Sequence, residues 1–172
     1  MKSMERINKL KRQEAEEAFR GCCGSSRYAR IMTESRPFAS PDDMKLTSDR
    51  IWSGSSREDI LEAFEAHPRI GDKKGAEQHG GKWASNEQRG MDSASNDIAI
   101  AMMKGNAEYE ARMGFRYIVC ATGKSAQEML QILRMRINNP PDEELKNGAA
   151  EQNKITHLRL NKLLSELSTS NL

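Results

Sequence analysis

One short segment, residues 115–121, is all that this sequence offers for building a β-sheet. Its Phe-Arg-Tyr-Ile-Val-Cys-Ala run is the only stretch with strand-like character, and a single strand of this length makes no sheet. Elsewhere apolar residues recur at helical spacing, as Ile60, Leu61 and Phe64 do. With 30% charged and 5% aromatic residues, the composition is typical of a soluble, charge-rich helical protein.

Side chains that cap helices mark where several of the helices begin. Ser56 precedes one helix, Ser93 or Ser95 precedes another, and Ser125 with Glu128 has the spacing of a capping box. Between them, residues 71–81 contain four glycines and no apolar residue larger than alanine. We therefore expect residues 71–81 to form a mobile surface loop.

Bulk properties exclude several classes of protein. At 172 residues the chain is one domain by length. The net charge is +2 and basic residues are interspersed with acidic ones, so we expect no nucleic-acid partner. No apolar run approaches the roughly 20 residues that span a bilayer, so we expect no membrane partner.

The cysteines and histidines do not form a recognisable metal site or disulfide framework. The three cysteines include an adjacent pair, Cys22 and Cys23, and an odd count without framework spacing indicates a reducing compartment. A zinc site on that pair would need two further ligands, and His67, His79 and His157 supply no obvious set. We expect no metal.

His67 and Glu87 are the first candidates for chemistry. Pro68 disfavours a helical conformation at His67, which places the imidazole at the end of the preceding helix. The partial negative charge of that helix end raises the proton affinity of a nearby imidazole. If the intervening chain folds back, Glu87 can hydrogen-bond the ring, and such a pair can transfer protons. A histidine before proline is more often a surface or capping residue, so spacing alone leaves both interpretations open.

Arg159 is the third candidate. It lies on the predicted last helix, four residues after Ile155 and four before Leu163. An arginine on an apolar stripe costs free energy unless its charge is paired. Either its stem packs while its charged group reaches water, or the guanidinium binds an anionic group.

Several blocks of this sequence, in this order, resemble the 2-oxo-4-hydroxy-4-carboxy-5-ureidoimidazoline (OHCU) decarboxylases. The blocks are Cys22-Cys23-Gly24-Ser25-Ser26, Phe64-Glu65-Ala66-His67-Pro68 with the later Glu87-Gln88 pair, residues 115–121, and Lys154-Ile155-Thr156-His157-Leu158-Arg159-Leu160. Together they cover roughly residues 16–167. The first block most resembles the decarboxylase domain of the plant and algal allantoin synthases.

This resemblance implies an all-α fold, a single compact domain of about eight helices over residues 13–167. Residues 1–12 would be a frayed extension and residues 168–172 a tail. The implied activity is cofactor-independent decarboxylation of OHCU to (S)-allantoin, the last step of urate breakdown, by a homodimer that binds this small molecule.

The resemblance also assigns roles to residues. His67 would be the proton-transfer residue, Glu87 would orient it, and Arg159 would bind a carboxylate or carbonyl. The remaining substrate-binding positions would be Pro68, Ala84, Ser85, Asn86, Gln88, Tyr117, Ile118, Val119, Cys120 and Ala121. Many relatives have a serine three residues before the glutamate, where this chain has Ala84. Whether Ser85 reaches the substrate instead is therefore open.

The terminal Ser170-Asn171-Leu172 resembles the Ser-Lys-Leu peroxisomal address. Because eukaryotic family members are commonly associated with the peroxisome, we expect that compartment, with the cytoplasm as the alternative. Two other interpretations of the chain remain. It can be a catalytically silent helical interaction module, or the decarboxylase half of a fusion with a transthyretin-like hydroxyisourate hydrolase.

Overall fold

The computed structural model describes residues 2–170, apart from the side chain of His79. These residues form ten α-helices and one 3-10 helix, and no strand is present between residues 2 and 170. The α-helices are α1 Lys2–Lys9, α2 Arg12–Cys22, α3 Ser26–Glu34, α4 Pro41–Ser53, α5 Arg57–Glu65, α6 Lys73–His79, α7 Gly81–Glu87, α8 Asn96–Met113, α9 Ala126–Arg136 and α10 Pro141–Thr169, and the 3-10 helix is Arg89–Met91. The all-α prediction is confirmed, and the expected count of about eight helices was slightly low.

The chain divides into two compact units. Unit 1 contains residues up to 63 together with residues from 153 onward, and unit 2 contains residues 64–152. Helix α10 begins in unit 2 and ends in unit 1. None of the helices within residues 2–170 combines the length and the apolar character that crossing a bilayer requires.

The N-terminal segment of unit 1 is folded, although the sequence predicted a frayed extension. Residues 2–9 form α1, in which Ile7 is fully buried. The Asn8 side chain exchanges hydrogen bonds with the backbone of Phe38, at 3.0 and 2.9 Å. Arg36 Nη1 donates to the Ile7 and Leu10 carbonyl oxygens at 2.8 and 2.9 Å. Buried apolar surface and these long-range bonds hold a segment that carries no local stop or start signal.

The core of unit 1 is built around aromatic and sulfur-containing side chains. Phe19, Tyr28 and both adjacent cysteines, Cys22 and Cys23, are fully buried. The Tyr28 hydroxyl is 2.7 Å from the hydroxyl oxygen of Ser48, so this polar group is satisfied inside the core. The structure therefore gives the adjacent cysteines the role of small core residues.

Residues 73–79 and 81–87 of unit 2 are helical, and the prediction of a mobile loop over residues 71–81 was wrong. Asp72 caps α6 by accepting from the Gly75 backbone N–H at 2.9 Å, and Ala76 is buried. Helix α7 follows directly after Gly80. The glycine content suggested a loop, whereas the Asp72 cap and the burial of Ala76 both stabilise this short helix.

The helix caps predicted at three serines are confirmed. The hydroxyl oxygens of Ser56, Ser95 and Ser125 each accept from the backbone N–H three residues later, at 3.1 to 3.3 Å. Helix α8 ends at Met113, and the next residue, Gly114, has a left-handed φ of 82°, the conformation that favours glycine. Residues 115–121 then run as extended chain between α8 and α9, and they pair with no strand among the described residues.

Candidate active site

His67 lies two residues beyond the end of α5, close to the position predicted from Pro68. Its backbone N–H donates to the Phe64 carbonyl at 3.1 Å, which extends the last turn of the helix. Its carbonyl oxygen accepts from Arg116 Nη1 at 2.7 Å. Both backbone groups of His67 are therefore fixed, and its side chain is half-buried.

The imidazole ring of His67 contacts a residue that sequence reasoning missed. Its Nε2 is 2.5 Å from Oε1 of Gln152, a fully buried residue of α10 in the same unit. Because an amide oxygen only accepts hydrogen bonds, the proton of this pair resides on the histidine Nε2. The two residues are 85 positions apart, and no local pattern around Gln152 identifies it as a partner.

Glu87, the last residue of α7, is a buried carboxylate with 9% of its surface exposed. It lies within electrostatic range of Cys120. Burial raises the pKa of the Cys120 thiol, the positive charge of Lys124 lowers it, and the negative charges of Glu151 and Glu87 raise it. The structure thus brings Glu87 close to the extended segment of the site. That Glu87 orients His67 stays a prediction.

Helix α7 presents its predicted site residues on opposite sides. Ala84 is buried, as Glu87 and Gln88 are, whereas Ser85 and Asn86 are exposed. Gln88 Oε1 accepts from the Gly71 backbone N–H at 3.0 Å, which fixes the turn that follows Pro68. A substrate contact of Ser85 or Asn86 stays a prediction.

The extended segment is held by its own hydrogen bonds. All five residues from Tyr117 to Ala121 are buried. The Tyr117 hydroxyl donates to the Met129 carbonyl at 2.9 Å, and the Ile118 carbonyl accepts from Arg136 Nη1 at 2.6 Å. The Tyr117 hydroxyl and the Ile118 carbonyl are therefore both paired within unit 2, and these two groups stabilise the fold.

Further along this segment, some backbone N–H and C=O groups already form hydrogen bonds within the protein and others do not. The Cys120 N–H donates to Glu151 Oε1 at 3.1 Å, and its carbonyl accepts from Lys124 Nζ at 2.7 Å. The Ala121 carbonyl accepts from the Lys124 backbone N–H at 3.0 Å. Among residues 2–170, nothing pairs with the backbone N–H and C=O of Val119. Val119 therefore has the backbone groups of this segment best suited to a ligand rich in amide-like groups.

Arg159 lies on the unit 1 part of α10. It is only 7% exposed, so its charged group does not extend into water. Its Nη1 donates to the Gly21 carbonyl at 3.1 Å. Burial raises the pKa of the nearby Cys23 thiol to about 12, an effect that the Arg159 charge partly opposes. A buried guanidinium beside a buried thiol suits an anionic ligand, but binding of substrate by Arg159 stays a prediction.

The described side chains of residues 2–170 include no group of three or more His, Cys, Asp or Glu that could hold a metal ion.

Comparison with known sequences decides the family. A sequence model of OHCU decarboxylase matches residues 8–161. The chain belongs to the OHCU decarboxylase family. It is 34% identical to the Uric acid degradation bifunctional protein TTL of Arabidopsis thaliana over 154 residues, which are 88% of this chain. The matched part is 48% of the Arabidopsis protein, so the chain spans about half the length of this relative.

Other comparisons agree with this family. An OHCU decarboxylase of Haloferax volcanii is 25% identical over 73% of this chain and 74% of its own length. A crystal structure of OHCU decarboxylase in the presence of (S)-allantoin is 34% identical, superposes with a TM-score of 0.76, and is covered over 98% of its length. A crystal structure of (S)-allantoin synthase, 17% identical with a TM-score of 0.69, shares the fold.

Proposed function

We propose that this chain converts OHCU to (S)-allantoin in urate degradation, as a cofactor-independent carboxy-lyase. The observation that carries the proposal is the family match over residues 8–161, which includes His67, Glu87 and Arg159. In unit 2, His67 is half-buried and fixed at its ring and backbone, and Glu87 is a buried carboxylate. These are the properties expected of groups that transfer and direct a proton.

The chemistry needs no electron sink from the protein. When the carboxylate leaves as carbon dioxide, the electron pair of the broken carbon–carbon bond passes into the conjugated carbonyl and imine groups of the substrate ring. The enzyme must then hold the substrate in one orientation and deliver one proton to one face of the carbon. His67 is the proton-transfer residue in this scheme, and Glu87 orients it and polarises the substrate.

The substrate is recognised through its own polarity. The imidazolone ring and ureido group present amide-like donors and acceptors, which match the backbone N–H and C=O of Val119. Arg159 provides a buried guanidinium whose fork fits a carboxylate. Gln88 and Pro68 shape the pocket beside His67.

The assembly and compartment are also proposals. We propose a homodimer in the peroxisome, with the cytoplasm as the alternative compartment. The peroxisomal address depends on Asn171 and Leu172, which lie outside the described residues. Light scattering of the purified protein measures the dimer, and imaging of fluorescent fusions with and without the last three residues measures the compartment. As the alternative, we propose that the chain is the decarboxylase half of a fusion with a transthyretin-like hydroxyisourate hydrolase. This alternative is supported by the bifunctional name of the Arabidopsis relative, of which the matched part is 48%.

The activity is tested by circular dichroism of the product, with OHCU generated in place from urate by an oxidase and a hydrolase. Spontaneous decay gives racemic allantoin and no lasting signal. We expect wild type to produce an (S)-allantoin signal quickly and His67→Asn to produce none. A folded wild-type protein that yields no signal would overturn the enzymatic proposal and favour a catalytically silent interaction module.

A further inference from the structure

We infer that Gln152 is a positioning residue for the reaction, because it fixes the orientation and the protonation state of the His67 ring. The inference rests on the proposed role of His67 in proton transfer. With Oε1 of Gln152 at 2.5 Å, Nε2 keeps its proton whether the ring is neutral or charged. The nitrogen that gains and releases the transferred proton is therefore Nδ1.

The contact is rigid on both sides. Gln152 is fully buried within the 29-residue helix α10, so its amide cannot turn away without disrupting the packing around it. His67 is held at its backbone N–H by Phe64 and at its carbonyl by Arg116. Since Pro68 also restricts the backbone at His67, the ring has one well-defined orientation.

The preceding residue of α10 has a parallel role. Glu151 Oε1 accepts from the Cys120 backbone N–H at 3.1 Å. Two consecutive residues of one helix thus bond to the two segments that build the site in unit 2, the turn at His67 and the extended segment at Cys120. One turn of α10 sets the positions of both.

A neutral acceptor has a consequence that a carboxylate would not have. A carboxylate at position 152 would stabilise the imidazolium form strongly, whereas an amide holds the same proton without adding charge. Glu65 and Arg69 are the charged residues within two positions of His67 in the sequence, and Arg69 is paired with Glu110 at 2.8 Å. Arg116 donates to the His67 carbonyl at 2.7 Å. Gln152 adds no further charge to these groups.

The test compares two substitutions of Gln152. Gln152→Met has a similar length and no acceptor, so the ring loses its anchor. We expect kcat to fall by about 10- to 100-fold while KM changes less than about threefold, since misplacement of a catalytic group by about 1 Å has effects of this size. Gln152→Glu keeps an acceptor, so we expect it to retain clearly more activity than Gln152→Met. Because the new carboxylate favours the imidazolium form, the ionisation of His67 in the pH–rate profile of Gln152→Glu should move to higher pH than in wild type.

A second measurement does not depend on activity. In nitrogen-15 correlated spectra of the ring, wild type should show a protonated Nε2 whose proton exchanges slowly, and Gln152→Met should lose that protection. Gln127→Met, on the exposed face of α9, is the matched control and should change neither the spectrum nor the kinetics. Thermal unfolding verifies that each variant is folded.

Particular outcomes would overturn the inference. It is wrong if folded Gln152→Met keeps kcat within about twofold of wild type, or if the neutral ring of wild type carries its proton on Nδ1. If Gln152→Met does not fold, the inference is also overturned when the pH–rate profile of Gln152→Glu is the same as that of wild type. If wild type makes no (S)-allantoin but its Nε2 proton is protected, the proposed function is contradicted. The hydrogen bond between Gln152 and His67 is then still supported.

Discussion

Arg136 Nε lies 2.8 Å from Glu144 Oε1 inside unit 2, where Glu144 is fully buried. The same carboxylate accepts from the Tyr109 hydroxyl at 2.5 Å, from Asn139 Nδ2 at 2.9 Å and from Asn147 Nδ2 at 2.7 Å. A buried charge is tolerated only when it is paired and hydrogen-bonded in this way. This cluster joins α8, α9 and α10, the helices that enclose the extended segment of the candidate site.

We predict that Glu144→Gln destabilises the protein by about 3 kcal/mol, because it leaves the buried guanidinium of Arg136 without its counter-charge. Urea unfolding at pH 7 measures the change in the free energy of unfolding. Glu143→Gln, at the neighbouring exposed position, is the matched control and should stay within about 0.5 kcal/mol of wild type. Equal stability of the two variants would contradict the role of the cluster.

The same carboxylate predicts a pH dependence of stability. Burial alone would raise the pKa of Glu144, but hydrogen bonds from Asn139, Tyr109 and Asn147 and the charge of Arg136 hold it below its ordinary value. The folded pKa is thus lower than the unfolded one, about 4.3. The stabilisation is therefore fully present above that pH and is lost as the pH falls through the folded pKa. As the pH falls below about 4.3, wild type should lose stability more steeply than Glu144→Gln, as measured by urea unfolding at each pH.

The features that the sequence predicted correctly are those determined by residues close together in the chain. The serine caps at positions 56, 95 and 125 and the glycine stop at 114 involve partners within four residues, and each is confirmed. The all-α class follows from apolar spacing over whole helices. The position of His67 at a helix end follows from the proline after it.

What the sequence did not predict depends on partners far along the chain. Ile7 is buried, and its carbonyl accepts from Arg36, so contacts with distant residues order α1, which the sequence predicted to be frayed. Gln152 is chemically unremarkable until the fold places it against His67. Asp72 could have been recognised as a cap three residues before Gly75, but the glycine content outweighed that signal. The substrate roles of Glu87 and Arg159 stay predictions.

We predict opposite effects for alanine at two helical glycines. A Cβ at Gly148 in α10 would lie 2.7 Å from Cζ of the fully buried Phe64, so Gly148→Ala should destabilise by about 1 to 3 kcal/mol through overpacking. A Cβ at Gly21 in α2 meets nothing within 4 Å, so Gly21→Ala should stabilise by about 0.4 to 1 kcal/mol. Thermal and urea unfolding measure both, and the same sign for both variants would contradict the packing of Phe64 on α10.

We predict that none of the three cysteines reacts readily in the native protein. Cys22, Cys23 and Cys120 are buried, and burial raises the pKa of Cys23 to about 12 and raises that of Cys120. Because the thiolate is the reactive form, a disulfide exchange reagent at pH 8 should titrate less than about one thiol in minutes. In guanidinium chloride the same reagent should titrate all three. Rapid reaction of a thiol in the folded protein would show that the surrounding helices open.

We predict that Asp72 decides whether residues 73–79 are helical. Its Oδ1 accepts from the Gly75 N–H at 2.9 Å, and α6 is only seven residues long, so loss of this cap removes much of what orders it. Asp72→Ala should cost about 1 kcal/mol locally and increase hydrogen exchange in residues 73–79 by about fivefold, whereas Asp72→Asn keeps the accepting oxygen and should exchange almost as wild type does. Because α6 leads directly into α7, which ends at Glu87, a disordered α6 would also loosen that carboxylate. If hydrogen exchange were equally fast in wild type and in Asp72→Ala, residues 73–79 would form a loop, as the glycine content suggested.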